Sequence, residues 1–218
     1  MKLGVFDSGI GGEAVAEALR KTFPRALVVT VNDRANVPYG NKPPERVIEL
    51  TEAALRPLLE GGCDAIVIAC NTATAVAIDE LRRKHPAQKF IGIEPMIKTA
   101  AALTKTRVVA VCATAATLAS ARYARLARDF GGGLEIIEPD CGEWAFLIEN
   151  DLINRARIQK TIDGVCERGA DVIVLGCTHY HWIKELIAEV ARGRARVIEP
   201  SEAIGRRVQS LLAVEPPA

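Results

Sequence analysis

Gly61 to Cys70 reads GGCDAIVIAC and Arg168 to Cys177 reads RGADVIVLGC, and these two stretches decide the fold. Each opens with a polar, glycine-containing lead-in, continues as an unbroken apolar run rich in Ile and Val, and ends on a cysteine. Such a run, too short for a helix and bounded by turn residues, reads as a strand buried on both faces, the kind that parallel sheets use. The two stretches agree at five of ten positions, and their final cysteines stand 107 residues apart.

The same offset recurs on either side. Leu27–Asp33 (LVVTVND) aligns with Leu134–Asp140 (LEIIEPD) at 107, Gly4–Ser8 with Ala110–Thr114 at 106, and Ile93–Pro95 with Ile198–Pro200 at 105. Landmarks kept in one order at nearly constant spacing indicate an internal duplication of about four strands per half. Strands are expected over Leu3–Phe6, Ala26–Val31, Ala65–Ala69, Phe90–Ile93, Arg107–Val111, Leu134–Ile137, Val172–Leu175 and Arg196–Ile198. Helical patterns fill Glu13–Thr22, Pro44–Leu59, Thr74–Lys84, Thr117–Phe130, Asn154–Arg168 and Trp182–Arg192. Strands alternating with helices predict an α/β fold: two similar parallel-sheet domains related by a pseudo-twofold axis, with the active site in the cleft between them. The first domain is expected over residues 1–95 plus 200–218, and the second over 96–199.

With 218 residues, 49% hydrophobic and 25% charged, the chain has enough apolar material for one large or two small cores. A formal net charge of +1 argues against a nucleic-acid or membrane partner held by bulk electrostatics. No run of 18 apolar residues is present, and the N-terminus turns strand-like at once without a secretory h-region. The six cysteines are widely and irregularly spaced, which fits reduced cytoplasmic thiols better than a disulfide framework. The tail AVEPPA after Leu212 is expected to fray.

Cys70 and Cys177 each sit where a strand ends and a helix begins. The positive helix terminus and its free N–H groups favour thiolate there, and can bring a cysteine toward neutrality. Two thiols in equivalent places on two halves can approach one carbon from opposite sides, as a racemase or epimerase requires. Asn71 and Thr72 beside the first, and Thr178 beside the second, offer donors for a substrate carboxylate. Asp7, at the end of the first strand, is placed to orient or deprotonate Cys70, or else to cap the next helix. His179 is placed to exchange protons with Cys177. Two other patterns compete. Gly9, Gly11 and Ala14, with Asp33 downstream, fit a dinucleotide-binding loop, but this leaves the paired cysteines unexplained. Cys177, His179 and His181 form C-x-H-x-H without an evident fourth ligand, so no metal is expected.

GVFDSGIGG (4–12), DRANVPYG (33–40), ACNTAT (69–74), IEP (93–95) and GCTHY (176–180) appear in the order found in cofactor-independent glutamate racemases, and nearly the whole chain resembles that family. The resemblance implies that Cys70 and Cys177 are the two acid/base thiols, with Asp7 and His179 as their partners. It implies that Asp33 and Glu149 are supporting acidic groups. Ser8, Pro38, Tyr39, Gly40, Asn71, Thr72, Thr114, Thr117 and Thr178, together with Asp7 and His179, fall where the family holds substrate. Aspartate racemases share the fold and the thiols but differ around the second cysteine, so GCTHY favours glutamate.

The chain departs from the pattern at Glu13-Ala14, at Arg34, at His181 (where the family has proline) and across Cys141–Phe146, and it is shorter than usual members. The implied activity is racemisation of L- and D-glutamate with no cofactor, in the cytoplasm, as a homodimer, supplying peptidoglycan synthesis. A racemase of aspartate or another small acidic amino acid is the nearest alternative, with Arg34 clamping a distal carboxylate. A catalytically silent binding protein of the same fold is the alternative from another class, and the retention of Asp7, Cys70, Cys177 and His179 argues against it.

Overall fold

The computed structural model describes residues 1–213, so the expectation for the tail falls, from Val214 onward, outside the described residues. Eight strands form: β1 (Lys2–Asp7), β2 (Leu27–Asn32), β3 (Ala65–Ile68), β4 (Phe90–Gly92), β5 (Val108–Ala113), β6 (Glu135–Ile137), β7 (Val172–Gly176) and β8 (Arg196–Ile198). The helices are α1 (Gly11–Thr22), α2 (Pro44–Glu60), α3 (Asn71–Lys84), α4 (Ile97–Leu103), α5 (Ala115–Leu118), α6 (Ala121–Phe130), α7 (Trp144–Glu149), α8 (Arg155–Glu167), α9 (Lys184–Ala191) and α10 (Ser201–Leu212). Short 3-10 turns cover Arg34–Asn36, Tyr39–Asn41 and Thr178–Ile183.

The chain divides into two compact units. Met1–Glu94 and the chain from Pro200 onward form one, and Pro95–Glu199 forms the other. Each holds a four-stranded parallel sheet with the same winding, β2-β1-β3-β4 in the first and β6-β5-β7-β8 in the second. The duplication read from the 107-residue offset is thus present in the strand order itself.

In the first unit the sheet is covered on both faces. Phe6, Ile66 and Ile68 pack with Leu55, Leu58, Ala77 and Leu81 from α2 and α3. Their alternate neighbours Leu3, Val5 and Val67 pack with Val15, Leu19, Ile204 and Val208 from α1 and α10. Alternation along a strand sends successive side chains to opposite faces, and so a run such as AIVI must be apolar throughout. In the second unit Val109, Val111, Val172 and Val174 pack with Ile97, Ala100 and Tyr123 from α4 and α6. Ala110, Cys112, Ile173 and Leu175 are buried on the opposite face.

The single helix expected over Thr117–Phe130 is divided. Thr114 caps α5 by accepting from Thr117 N–H, and Ser120 adopts an extended backbone (ψ 145°) and caps α6 by accepting from Tyr123 N–H. Two hydroxyl caps six residues apart end one helix and begin another. The segment 182–192 likewise starts as a 3-10 turn and becomes α-helical only at Lys184.

Candidate active site

β1 and β3 are neighbours, and their last pair Phe6↔Ile68 sets Asp7, at the end of β1, and Ser8 beside Ala69 and Cys70. Ser8 Oγ lies 3.3 Å from Cys70 Sγ. Cys70 is the N-cap of α3, and its sulfur accepts from Ala73 N–H at 3.4 Å. The helix terminus and the hydroxyl favour thiolate. Burial opposes them more strongly, since the residue is only 6% exposed, and the charge of Asp7 adds to burial. The outcome is a thiol pushed up to about 11. The near-neutral cysteine expected from the helix terminus is therefore corrected at this position: desolvation and a neighbouring carboxylate outweigh three weak stabilising contacts.

Asp7 is wholly buried, and its Oδ1 accepts from Gly9 N–H at 2.7 Å, closing a turn that needs no other residue. Helix α1 approaches this carboxylate closely because residue 12 is glycine: a Cβ there would stand 2.5 Å from Asp7 Cβ. Asp33, just past β2, donates its N–H to the carbonyl of Asp7. Its carboxylate accepts from Tyr39 OH at 2.7 Å and from Asn36 Nδ2. Burial, then the Asp33 contact, push the Tyr39 hydroxyl well above its ordinary range, so it remains a donor. Tyr39 stands between Pro38, which follows a cis peptide, and Gly40 in the 3-10 turn. Arg34 opens the preceding turn and is exposed. Asn71 and Thr72 are buried in the first turn of α3, and neither polar atom of the Asn71 side chain has a hydrogen-bond partner among the described residues.

In the second unit the register Ala113↔Gly176 sets Thr114 beside Cys177. The hydroxyls of Thr114 and Thr117 are 3.0 Å apart, which commits Thr114 to its cap as well as to the sheet edge. Cys177 Sγ lies 3.9 Å from His179 Nδ1, and His179 Nε2 lies 2.8 Å from Glu149 Oε2 at the end of α7. Both the imidazole and the carboxylate side chains are about 95% buried, at 4% and 5% exposure. An ionised carboxylate accepts only, so with Glu149 charged the imidazole proton lies on Nε2 and Nδ1 is presented to the sulfur. Thr178 is buried next to them.

Two residues that the sequence did not single out hold this arrangement. Tyr180 donates its hydroxyl to the carbonyl of Cys141 at 2.7 Å, and the ring of Trp144 meets Tyr180 edge-on with centroids 5.3 Å apart. These contacts fasten the start of α7 to the turn that carries His179. The aromatic residue closing GCTHY was the available signal. The C-x-H-x-H segment is a 3-10 turn rather than extended, so alternate residues do not share a face, and no three potential ligands converge among the described residues.

Each unit thus holds a buried cysteine just beyond its third strand with its own titratable neighbour: Asp7 for Cys70, and His179 with Glu149 behind it for Cys177. Residues 12–207 match the family model described as Asp/Glu/Hydantoin racemase. A glutamate racemase of Pseudomonas aeruginosa (strain UCBPP-PA14) is 39% identical over 215 residues, covering 97% of this chain and 81% of that protein. The crystal structure of Escherichia coli glutamate racemase with L-glutamate and the activator UDP-MurNAc-Ala is similar with a TM-score of 0.84 and 28% identity, covering 99% of this chain and 84% of that one. The Francisella tularensis glutamate racemase in complex with D-glutamate is similar at 0.82 and 29%, covering 97% and 81%.

Proposed function

The chain belongs to the Asp/Glu/hydantoin racemase family and falls with its glutamate racemases, and from that premise we propose that it interconverts L- and D-glutamate by two-base proton transfer at Cα, with Cys70 and Cys177 as the bases. The single observation carrying this reading is the equivalent placement of two buried cysteines, each beside a different proton-handling partner.

One thiolate removes the α-proton, leaving an electron pair that spreads into the substrate carboxylate. The other thiol gives its proton to the opposite face of the same carbon, and the reverse reaction exchanges the roles. Cys70, pushed up to about 11, is a thiol at neutral pH and begins as donor. Cys177 begins as acceptor, its proton having passed to His179 and the resulting imidazolium being held by Glu149. A forward turnover leaves Cys70 as thiolate and Cys177 as thiol, so Cys70 regains a proton and Cys177 loses one before the next; in the reverse reaction Cys70 begins as acceptor and Asp7 assists the removal of its proton. The unpartnered Asn71 amide, with Ser8, Thr72, Thr114, Thr117 and Thr178, would hold the substrate. Asp33 fixes Tyr39, and with it the loop of Pro38 and Gly40. No cofactor enters these steps. The proposed setting is the cytoplasm, as a homodimer, with D-glutamate passing to peptidoglycan synthesis; these points rest on the family resemblance.

The test is exchange in D2O. Protein without added cofactor, incubated with either glutamate enantiomer, is expected to incorporate α-deuterium and lose optical activity. No exchange from either enantiomer overturns the reading, and exchange with aspartate alone moves the substrate. Cys70→Ser and Cys177→Ser are each expected to abolish racemisation; near-normal turnover in either removes that cysteine from the mechanism.

A further inference from the structure

The 3-10 turn that carries His179 also carries a second buried imidazole. The His181 side chain is 4% exposed, as deeply placed as that of His179. The two differ in what they touch. His179 is hydrogen-bonded to its carboxylate at 2.8 Å, whereas His181 Nδ1 stands 3.8 Å from Glu199 Oε2, beyond hydrogen-bond distance. Neither ring nitrogen of His181 has a hydrogen-bond partner among the described residues. Buried polar groups are ordinarily paired. Among the described residues, His181 and Asn71 are the two whose buried side-chain polar atoms all lack a hydrogen-bond partner, and one lies in each cysteine's motif.

Glu199 follows β8, and Lys184 at the start of α9 reaches its other oxygen at 3.4 Å. The charged and titratable groups facing His181 are therefore Glu199 beyond β8, Lys184 of α9 and His179 of its own turn. Their effects on a positive imidazole diverge: Glu199 attracts it, Lys184 and His179 repel it, and burial disfavours it. Burial is the largest of these and carries His181 down to about 4. Two imidazolium ions on one six-residue turn in a desolvated setting repel strongly, so the turn accommodates one positive charge far more readily than two.

We propose that His181 is a positioning residue which leaves the positive charge of the Thr178–Ile183 turn to His179, and so sets the acid end of the range over which Cys177 works. The proposal rests on the reading of Cys177 and His179 as an acid/base pair. While His181 is neutral, His179 accepts the Cys177 proton and pairs with Glu149. Once His181 takes a proton and closes on Glu199, a second positive charge opposes that transfer. His181 touches neither substrate nor sulfur in this account.

The test uses the full chain as wild type, His181→Phe and His181→Asn. The first variant keeps a ring of similar size without ionisation, and the second keeps a polar group without ionisation. Both are expected to hold kcat/KM at pH 8 within about threefold of wild type. Toward acid, wild-type log kcat/KM is expected to steepen by one extra proton below about pH 5, and both variants to lack that extra proton. Equal slopes and midpoints in all three proteins overturn the proposal, as does a tenfold or larger loss at pH 8 in both folded variants. An independent readout needs no turnover. The chain has three histidines, so the imidazole proton resonance missing from a variant identifies His181 in the wild-type NMR spectrum. It is expected to titrate below pH 5, and titration near 6.5 overturns the proposal even if the protein proves inactive on glutamate. If one variant fails to fold, the other carries the kinetic comparison. Absence of wild-type turnover sinks the racemase reading instead, so the two failures are separable.

Discussion

Glu149 Oε2 lies 2.8 Å from His179 Nε2, with both side chains buried, so α7 bears directly on the ring that faces Cys177. A neutral amide in that place keeps the size of the side chain and loses the charge that, in the proposed mechanism, steadies an imidazolium. Glu149→Gln is therefore expected to lower kcat/KM by about 10²-fold or more, the usual scale for a displaced acid/base group. The equilibrium constant of a racemisation is one, so kcat/KM falls equally in both directions. Any asymmetry appears in kcat and in the primary deuterium isotope effects measured from each enantiomer. An unchanged kcat/KM would remove Glu149 from the relay.

Replacing Asp7 is expected to move the reactivity of Cys70 and the turnover in opposite directions. Its charge is the second cause, after burial, of the raised Cys70 thiol, so Asp7→Asn is expected to lower that thiol from about 11. Alkylation of Cys70 by iodoacetamide at pH 8, followed by mass spectrometry of its peptide, should become faster. Racemisation should become slower, because the carboxylate proposed to take the Cys70 proton in one direction is gone, and an equilibrium constant of one carries that loss in kcat/KM to both directions. Faster alkylation with unchanged turnover would reduce Asp7 to an electrostatic bystander.

The position of Asp7 depends in turn on Gly12. A methyl group there would stand 2.5 Å from Asp7 Cβ, so either α1 or the carboxylate must move. Displacements near 1 Å in acid/base geometry cost about 10²-fold, and Gly12→Ala is expected to lose activity on that scale while circular dichroism shows a folded protein. Gly164→Ala is the control. A Cβ at that site on α8 meets nothing within 4 Å, and replacing a helical glycine is worth up to about 1 kcal/mol of stability. Equal activity in both variants would show that the α1–Asp7 contact is not critical.

The central strands β1, β3, β5 and β7 were legible because strands buried on both faces must be apolar along nearly their whole length, and the more exposed β2, β6 and β8 because the internal repeat sets corresponding segments of the two halves against each other. The helices missed were those whose stability is supplied by contacts. Helix α10 includes Gly205, a poor helix former in isolation, yet a Cβ there would come within 3.3 Å of Thr22, so the glycine serves a close approach to α1. Helices α4 and α7, of seven and six residues, are too short to announce themselves by periodicity. At the candidate site, the equivalent placement of Cys70 and Cys177 was readable from the repeat, but the raised Cys70 thiol was not. A helix terminus can be inferred from the strand-to-helix handover at Cys70, and so can the nearness of Asp7; the 6% exposure that makes burial the dominant effect arises only on folding. Tyr180 and Cys141 were missed for the same reason, since their contact joins positions 39 residues apart.

His181 should also be visible in stability. Its ring nitrogens make no hydrogen bond among the described residues, so His181→Phe forfeits none at pH 7.5, and the two proteins should unfold within about 1 kcal/mol of each other. Acid separates them. Burial holds folded His181 down to about 4, whereas an unfolded histidine titrates near 6.5. Between those values the unfolded chain binds more protons at this residue than the native one, so native stability falls as pH drops through that window and the effect levels off below it. Each tenfold difference in proton affinity is worth about 1.4 kcal/mol, which puts the wild-type loss from this residue on the order of 3 kcal/mol across the window. Carboxylates other than Glu199 contribute equally to both proteins, so the difference between their urea-unfolding curves reports His181 together with its neighbour Glu199. His181→Phe is expected to be the more stable protein at pH 4.5, by a margin that disappears above pH 7. A margin that stays constant with pH would mean that His181 titrates alike in the folded and unfolded chains.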